Sequence, residues 1–331
     1  MGEKLLEVEE LKKYFPVYQR SIVTRKRIGD VHAIDNISFS IERGETLGLV
    51  GESGCGKTTT GKVVLDLEPR DTGRVMFEGK EVHESLLKAP QSEKMALRRS
   101  MQMVFQNPYG SLDPRMTVFD IISEPFVIHK HIPRNEWKGR VYSLLKLVGL
   151  EEYHAERYPH EFSGGQRQRI SIARALATEP KFVVADEPVS SLDVSIRAQI
   201  LNLLEDLQKK TGISFLYISH DLSSVRQVSQ NVAVMYLGRI FEYAQVNDLF
   251  DHPLNPYTMA LLSAVPIPDP VRQTKRIILP GDVPSPVNPP SGCRFHPRCP
   301  YAAEICKSED PPLRELGSGH LVACHFAEKF A

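Results

Sequence analysis

Apolar and polar positions alternate at period two along several stretches of the chain and fall into unbroken apolar blocks along others. Residues 31–41 alternate, which predicts a half-buried strand, and residues 74–82 alternate as a further strand or hairpin. Residues 5–11 read as a first strand, whose pairing Pro16 is expected to end. The basic segment 20–27 has no apolar period and reads as a solvated loop or hairpin tip. Apolar blocks at 46–50, 101–105, 182–185 and 214–219 predict buried strands, and 232–237 with 239–242 predict a hairpin about Gly238. Helical patterns occupy 59–64, 92–99, 118–122, 137–148, 170–176, 194–209 and 222–228. Strands alternating with helices predict a largely parallel sheet covered by helices. Antiparallel strands precede it, and a mostly helical insert spans about 107–173.

The pattern changes near residue 250. Of 24 prolines, fourteen lie between Pro253 and Pro312, together with four of the five cysteines. So much proline limits regular structure and leaves loops in need of another fastener. The expected division is therefore 1–250 and 251–331, in a chain whose length suits one large domain with an appendage or two modest domains. Lys+Arg and Asp+Glu are both 41, so no bulk charge favours nucleic acid or anionic lipid. No run approaches the roughly 18–20 apolar residues of a membrane span. The start, Met1-Gly2-Glu3-Lys4, lacks the apolar run of a signal peptide, so the chain is expected in the cytosol, with any membrane work done by docking.

The chemistry concentrates at 46–64. A strand breaks at Gly51-Glu52-Ser53-Gly54-Cys55-Gly56-Lys57-Thr58, and a helix follows from Thr59. That is G-x-x-x-x-G-K-[ST] in its strand-to-helix context. Consecutive backbone N–H groups turn onto one anion and the helix N-terminus adds positive potential. Lys57 is expected at the β- and γ-phosphates and the Thr58 hydroxyl at Mg²⁺. Asp186 and Glu187 end an apolar strand: Asp186 fits a Mg²⁺ shell and Glu187 a general base for water, the plain alternative being two solvated acids. Ser163-Gly164-Gly165-Gln166 opens a helix and makes a second anion site, or else a flexible turn.

These motifs, with Gln106 after a strand, Ser191-Leu192-Asp193 and Ser219-His220-Asp221, occur in an order that resembles the ATP-binding subunit of an ATP-binding-cassette (ABC) transporter over about residues 5–245. The resemblance implies a P-loop NTPase of the ABC type, an α/β fold with a mixed sheet, an antiparallel subdomain and a helical subdomain. It implies a head-to-tail dimer holding two ATP, each between one phosphate loop and the other subunit's Ser163-Gly164-Gly165-Gln166 turn. Gln106 would touch Mg²⁺ and the attacking water, His220 the γ-phosphate, and Asp193 would couple the sites. Phe15, with Tyr14 as runner-up, matches the aromatic that stacks on adenine. Phe162 stands where the family usually has leucine, and Cys55 reads as packing.

Cys293, Cys299, Cys306 and Cys324 are spaced C-x5-C-x6-C-x17-C. Structural zinc sites usually carry closer pairs, so four thiolates on irregular loops suit an iron–sulfur cluster better. Zinc with His296 or His325, and reduced cysteines packed as small apolar residues, stay open. Arg294 and Arg298 would offset a cluster's charge. The run from His252 to Pro266 and the segment from Gln106 to Arg115 are similar to oligopeptide and dipeptide importer ATPases. That resemblance implies a [4Fe-4S] cluster, two transmembrane permease subunits, a second and non-identical ATPase, and an extracytoplasmic peptide-binding protein, with this chain at the cytoplasmic face of the membrane and no nucleic acid bound. Import of another solute such as nickel, a soluble ABC ATPase acting on nucleic acid, and a non-hydrolysing module are the alternatives.

Overall fold

The computed structural model describes residues 3–20, 25–265, 276–317 and 319–331. Met1, Gly2, half of the basic segment 20–27 (21–24), the stretch 266–275, which includes Pro266, and Ser318 lie outside them. The strands among the described residues are β1 Lys4–Arg20, β2 Arg25–Glu42, β3 Thr46–Val50, β4 Thr72–Phe77, β5 Lys80–Glu81, β6 Met101–Val104, β7 Phe182–Asp186, β8 Ser214–Ser219, β9 Asn231–Tyr236, β10 Arg239–Gln245, β11 Arg314–Glu315 and β12 Leu321–Val322. The chain forms two compact units. The first is Met1–Leu5, Ile41–Thr46 and Phe77–Ile218; the second is Leu6–Ser40, Leu47–Met76 and Ser219–Ala331.

In the second unit β2, β1 and β4 are neighbours in that order. Only four residues join β1 to β2, too few for the crossover that parallel pairing needs, so the two run antiparallel. β1 continues through Pro16, contrary to the sequence expectation. The Lys12 carbonyl accepts from Asp71 N–H, and Tyr14 N–H donates to the Asp71 carboxylate. By the two-residue period the nitrogen of Pro16 faces that same side, where β4 starts only at Thr72. The missing donor therefore costs no ladder bond.

Five further strands of this unit lie side by side in the order β11-β12-β10-β9-β3. β3 is fully buried and pairs parallel with β9, Leu47 opposite Asn231, while β10 pairs antiparallel with β9 and with β12. The proline-rich tail is thus fastened by ordinary structure as well. Asn255 caps the helix Pro256–Ser263 through Tyr257 N–H, and its side-chain amide donates to the carbonyls of Phe241 and Ala323. The fully buried Glu242 carboxylate accepts from the N–H groups of Leu254 and Asn255 and pairs with His320. By contact, the described part of 251–331 belongs with the strand that carries the phosphate loop.

In the first unit β6, β7 and β8 are parallel, Phe182 lying opposite both Met101 and Ser214. Around this sheet are the helices Pro108–Ser111, Val118–His129, Trp137–Leu147, Gly164–Leu176 and Val194–Thr211. The helix expected at 118–122 extends to His129 across Pro125. Thr117 and Asp120 form a capping box at its start, and Ile121, Ile122 and Phe126 are buried. Packing of that face offsets the one hydrogen bond Pro125 forfeits. The mixed α/β architecture is the one the sequence resemblance implies.

Candidate functional site

β3 ends at Val50 and the helix Lys57–Val64 begins where the phosphate-loop motif ends. Two loop glycines are fixed by close backbone approach. A Cβ on Gly51 (φ 154°) would lie 2.0 Å from the Met235 carbonyl oxygen, and one on Gly56 (φ 109°) 1.9 Å from that of Ala33. Both contacts are backbone and cannot yield, so any side chain there would move the loop. Lys57 is buried and donates from Nζ to the carbonyls of Gly51 (2.7 Å) and Glu52 (3.0 Å), so its ammonium lies inside the curl of the loop. Cys55 is buried, its Sγ 3.7 Å from Lys57 Nζ, and burial pushes its thiol pKa up.

Glu52 is gripped from the carboxyl-terminal residues. Its N–H donates to the Tyr257 hydroxyl (3.0 Å), and its carboxylate takes a two-pronged bond from Arg298 (2.7 and 3.1 Å). Arg298 is 7% exposed and Tyr257 fully buried. Tyr257 packs with Tyr236 and Phe295, ring centroids 4.7 and 5.3 Å away.

Among the aromatic candidates, Tyr14 is already engaged: its hydroxyl donates to Asp35 (2.7 Å) and its ring stacks on His32. Phe15 is half-buried with Lys13 Nζ 5.0 Å from its ring centroid. Asp35 is buried and also meets Arg239 (3.2 Å) and Arg294. Burial opposes ionisation of Asp35, but the Tyr14 hydroxyl and the two guanidinium groups outweigh it and hold its carboxyl below the ordinary range. His220 is exposed between Ser219 and Asp221. The Ser219 hydroxyl accepts from Asp221 N–H, and Asp221 caps the helix Leu222–Val228, so the turn carrying His220 is held on both sides.

The remaining candidates belong to the first unit. Asp186 is buried as the last residue of β7. Glu187 then turns into the left-handed region (φ 44°), its N–H donating to Ile218, and its carboxylate accepts from the Gln106 amide at 2.9 Å. A non-glycine residue at positive φ stores about 1–3 kcal/mol of strain and marks a functional site often enough to be worth testing. Ser163 and Gln166 form a capping box on the helix Gly164–Leu176, and Gly165 is so close to Ile196 that a Cβ would lie 2.3 Å from it. Phe162 is buried, so the apolar role of that position survives. Asp193 is an exposed residue at the start of the helix Val194–Thr211.

Cys293, Cys299, Cys306 and Cys324 all line one cavity of about 20 Å³, with His296 and His325. Burial, then the neighbouring thiols, push Cys293 up to about 12 and Cys299 up to about 11. Among the described residues, however, no group of three or more His, Cys, Asp or Glu side chains is placed to hold a metal ion. The expected metal site is thus unsupported by the arrangement of side chains. The expected role of the arginines is corrected as well: Arg294 and Arg298 are committed to Asp35 and Glu52. Arg294 and Arg298 stand out in the sequence and Tyr257 falls within the 252–266 run, yet nothing in their spacing reveals partners more than two hundred residues away.

A family model described as ABC transporter matches residues 34–190, and one described as the carboxyl-terminal region of oligopeptide/dipeptide transporters matches 241–306. Over 325 residues the chain is 49% identical to the oligopeptide transport ATP-binding protein AppF of Bacillus subtilis, covering 98% of this chain and 97% of that one. It is 47% identical to the dipeptide transport ATP-binding protein DppF of Haemophilus influenzae, covering 97% and 96%. Among solved structures, cbiO1 of Clostridium perfringens, part of an ABC transporter complex, matches at TM-score 0.62 and 29% identity over 75% of this chain and 91% of that one. A dimeric post-hydrolysis state of the cassette MJ0796, bound to ADP and Pi, matches at TM-score 0.62 and 25% identity over 73% and 99%. No helix among the described residues is long and apolar enough to cross a membrane, and the match to peptide-transporter ATP-binding proteins implies membrane permease partners. It belongs to the ATP-binding subunits of ABC transporters, in the oligopeptide/dipeptide family, and is an ATPase.

Proposed function

We propose that this ATPase powers import of di- or oligopeptides from the cytoplasmic face of the membrane, beneath two permease subunits and paired with a second, non-identical ATPase, an extracytoplasmic peptide-binding protein supplying cargo. The names of AppF and DppF and the match of the tail region support the peptide reading. Each ATP would lie between the loop Gly51–Thr58 of one subunit, continued by Thr59, and the Ser163-Gly164-Gly165-Gln166 turn of the other, with Phe15 on adenine and Asp193 coupling the two sites. Thr58, Gln106 and Asp186 would hold Mg²⁺, which supplies charge neutralisation between the β- and γ-phosphates.

The observation that carries the hydrolytic reading is the Gln106–Glu187 hydrogen bond. An amide and a carboxylate that share a bond can also share a water between them, the amide orienting it and the carboxylate taking its proton. Water oxygen bonds to the γ-phosphorus, its proton passes to Glu187, and the bond to the β-phosphate oxygen breaks with the electron pair leaving on ADP. His220 would stabilise the γ-phosphoryl charge. Glu187→Gln keeps the shape and removes the base, so turnover should fall roughly 10²- to 10⁴-fold while MgATP binding is retained. Unchanged turnover would take Glu187 out of this role.

A [4Fe-4S] cluster in the tail is the finer proposal. The four cysteine thiols share one cavity, and burial raises the pKa of Cys293, Cys299 and Cys324, so a bound cluster, rather than bulk pH, would have to draw those protons off.

A further inference from the structure

The phosphate loop carries a carboxylate at its second position. An unpaired negative charge there would oppose a polyphosphate anion, since like charges in a partly desolvated pocket repel strongly. Arg298 meets that carboxylate with two parallel bonds from a side chain that is itself 9% exposed, and Nη1 also lies 3.5 Å from the Tyr236 hydroxyl. Arg298 stands 246 residues from Glu52 and beside Cys299, in the carboxyl-terminal extension. The Glu52 N–H is held by Tyr257 across 205 residues, and the carbonyl of that same peptide, belonging to Gly51, accepts from Lys57. The peptide that anchors Lys57 is therefore itself anchored, through backbone and carboxylate, by the carboxyl-terminal extension.

We propose that the carboxyl-terminal extension is part of the nucleotide site: Arg298 is a positioning residue that cancels the charge of Glu52 and, with Tyr257, sets the phosphate loop and so its affinity for MgATP. This rests on reading Gly51–Thr58 as the phosphate loop. The bidentate geometry matters, because a guanidinium fork fixes a carboxylate in orientation as well as in charge.

The test is equilibrium binding of MgATP, with turnover, by the full-length chain. Arg298→Met should weaken MgATP roughly tenfold and raise KM more than it lowers kcat, while Arg298→Lys should lose less. The double variant Arg298→Met/Glu52→Gln, which removes the repelling charge, should recover most of the affinity. A purely structural role would lower the melting temperature of both variants and leave the double variant as weak as the single. That result, or an Arg298→Met affinity equal to the parent's, overturns the proposal. Should Arg298→Met fail to fold, Arg298→Lys, which keeps the charge but loses the two-pronged grip on Glu52, should still bind MgATP more weakly than the parent and with a higher KM; unchanged binding overturns the proposal. Lys57→Ala separates the two readings: if it binds MgATP normally, the phosphate-loop assignment itself has failed.

Discussion

Asp35 shows at the residue scale how charge holds one part of the fold. Its carboxylate gathers the Tyr14 hydroxyl, Arg239 and the buried Arg294, the last arriving from 259 positions along the chain. Breaking such a buried pair from one side leaves the other charge uncompensated, which costs about 3–5 kcal/mol, whereas removing both partners can be nearly neutral. Asp35→Ala should therefore destabilise the chain by that order in urea unfolding at pH 7, and Asp35→Ala/Arg294→Met should recover much of the loss. The pH sign follows from the lowered carboxyl pKa. Its contribution is fully present above the unfolded-state value, about 3.9, and is lost as pH falls through the folded value. Asp35→Ala should thus flatten the acid limb of the stability curve below about pH 4; an unaltered limb would mean the pair carries no linkage. None of this was legible in the sequence. The phosphate-loop glycines, Asp186 and Glu187 declare themselves because backbone geometry and chemistry demand those residue types at those spacings. A salt bridge demands only opposite charges somewhere in space.

At the scale of elements, legibility followed the strength of the local signal. The buried strands β3, β7 and β8 and the helix Leu222–Val228 stand within a residue of the expected ranges, since apolar blocks and helical periods are local properties. The strand run through Pro16 and the helix run through Pro125 were hidden because proline is a local breaker, while the faces that rescue it are tertiary. The tail was the least legible part. Its prolines predicted loops needing a fastener, but the fastening shared by Asn255, Glu242 and β12 is non-local. The four cysteines then admit a sharp experiment. If a [4Fe-4S] cluster binds them, protein purified without oxygen should be brown, with iron and sulfide in equal amounts, and Cys299→Ser should lose the colour. If they are ordinary packed thiols, the protein should be colourless. Cys293 and Cys299, raised to about 12 and about 11, should then alkylate slowly at pH 8, because so little thiolate is present.

For the whole molecule, the proposal that decides most is that each nucleotide is shared between two chains. A mixture of single-lesion chains tests it without a structure of the complex. One chain carries Lys57→Ala and an intact Ser163-Gly164-Gly165-Gln166 turn; the other carries Ser163→Arg and an intact phosphate loop. Alone, each forms only pairs in which every shared site has one lesion, so neither should trap MgATP in a closed dimer. In a mixed pair the lesions can fall together. One site then combines both defects, and the other combines the intact loop of one chain with the intact turn of its neighbour. If pairing is random, about half of the dimers are mixed and about one site in four is whole. Adding Glu187→Gln to both chains slows turnover, so the trapped nucleotide can be counted after gel filtration. Recovery of trapping only on mixing would require sites built from two chains. No recovery in mixtures, with dimers demonstrably formed, would mean that each chain completes its own site. If the natural dimer is heteromeric, the same scheme holds with one lesion placed in the sister ATPase, and it then reports which chain supplies which half.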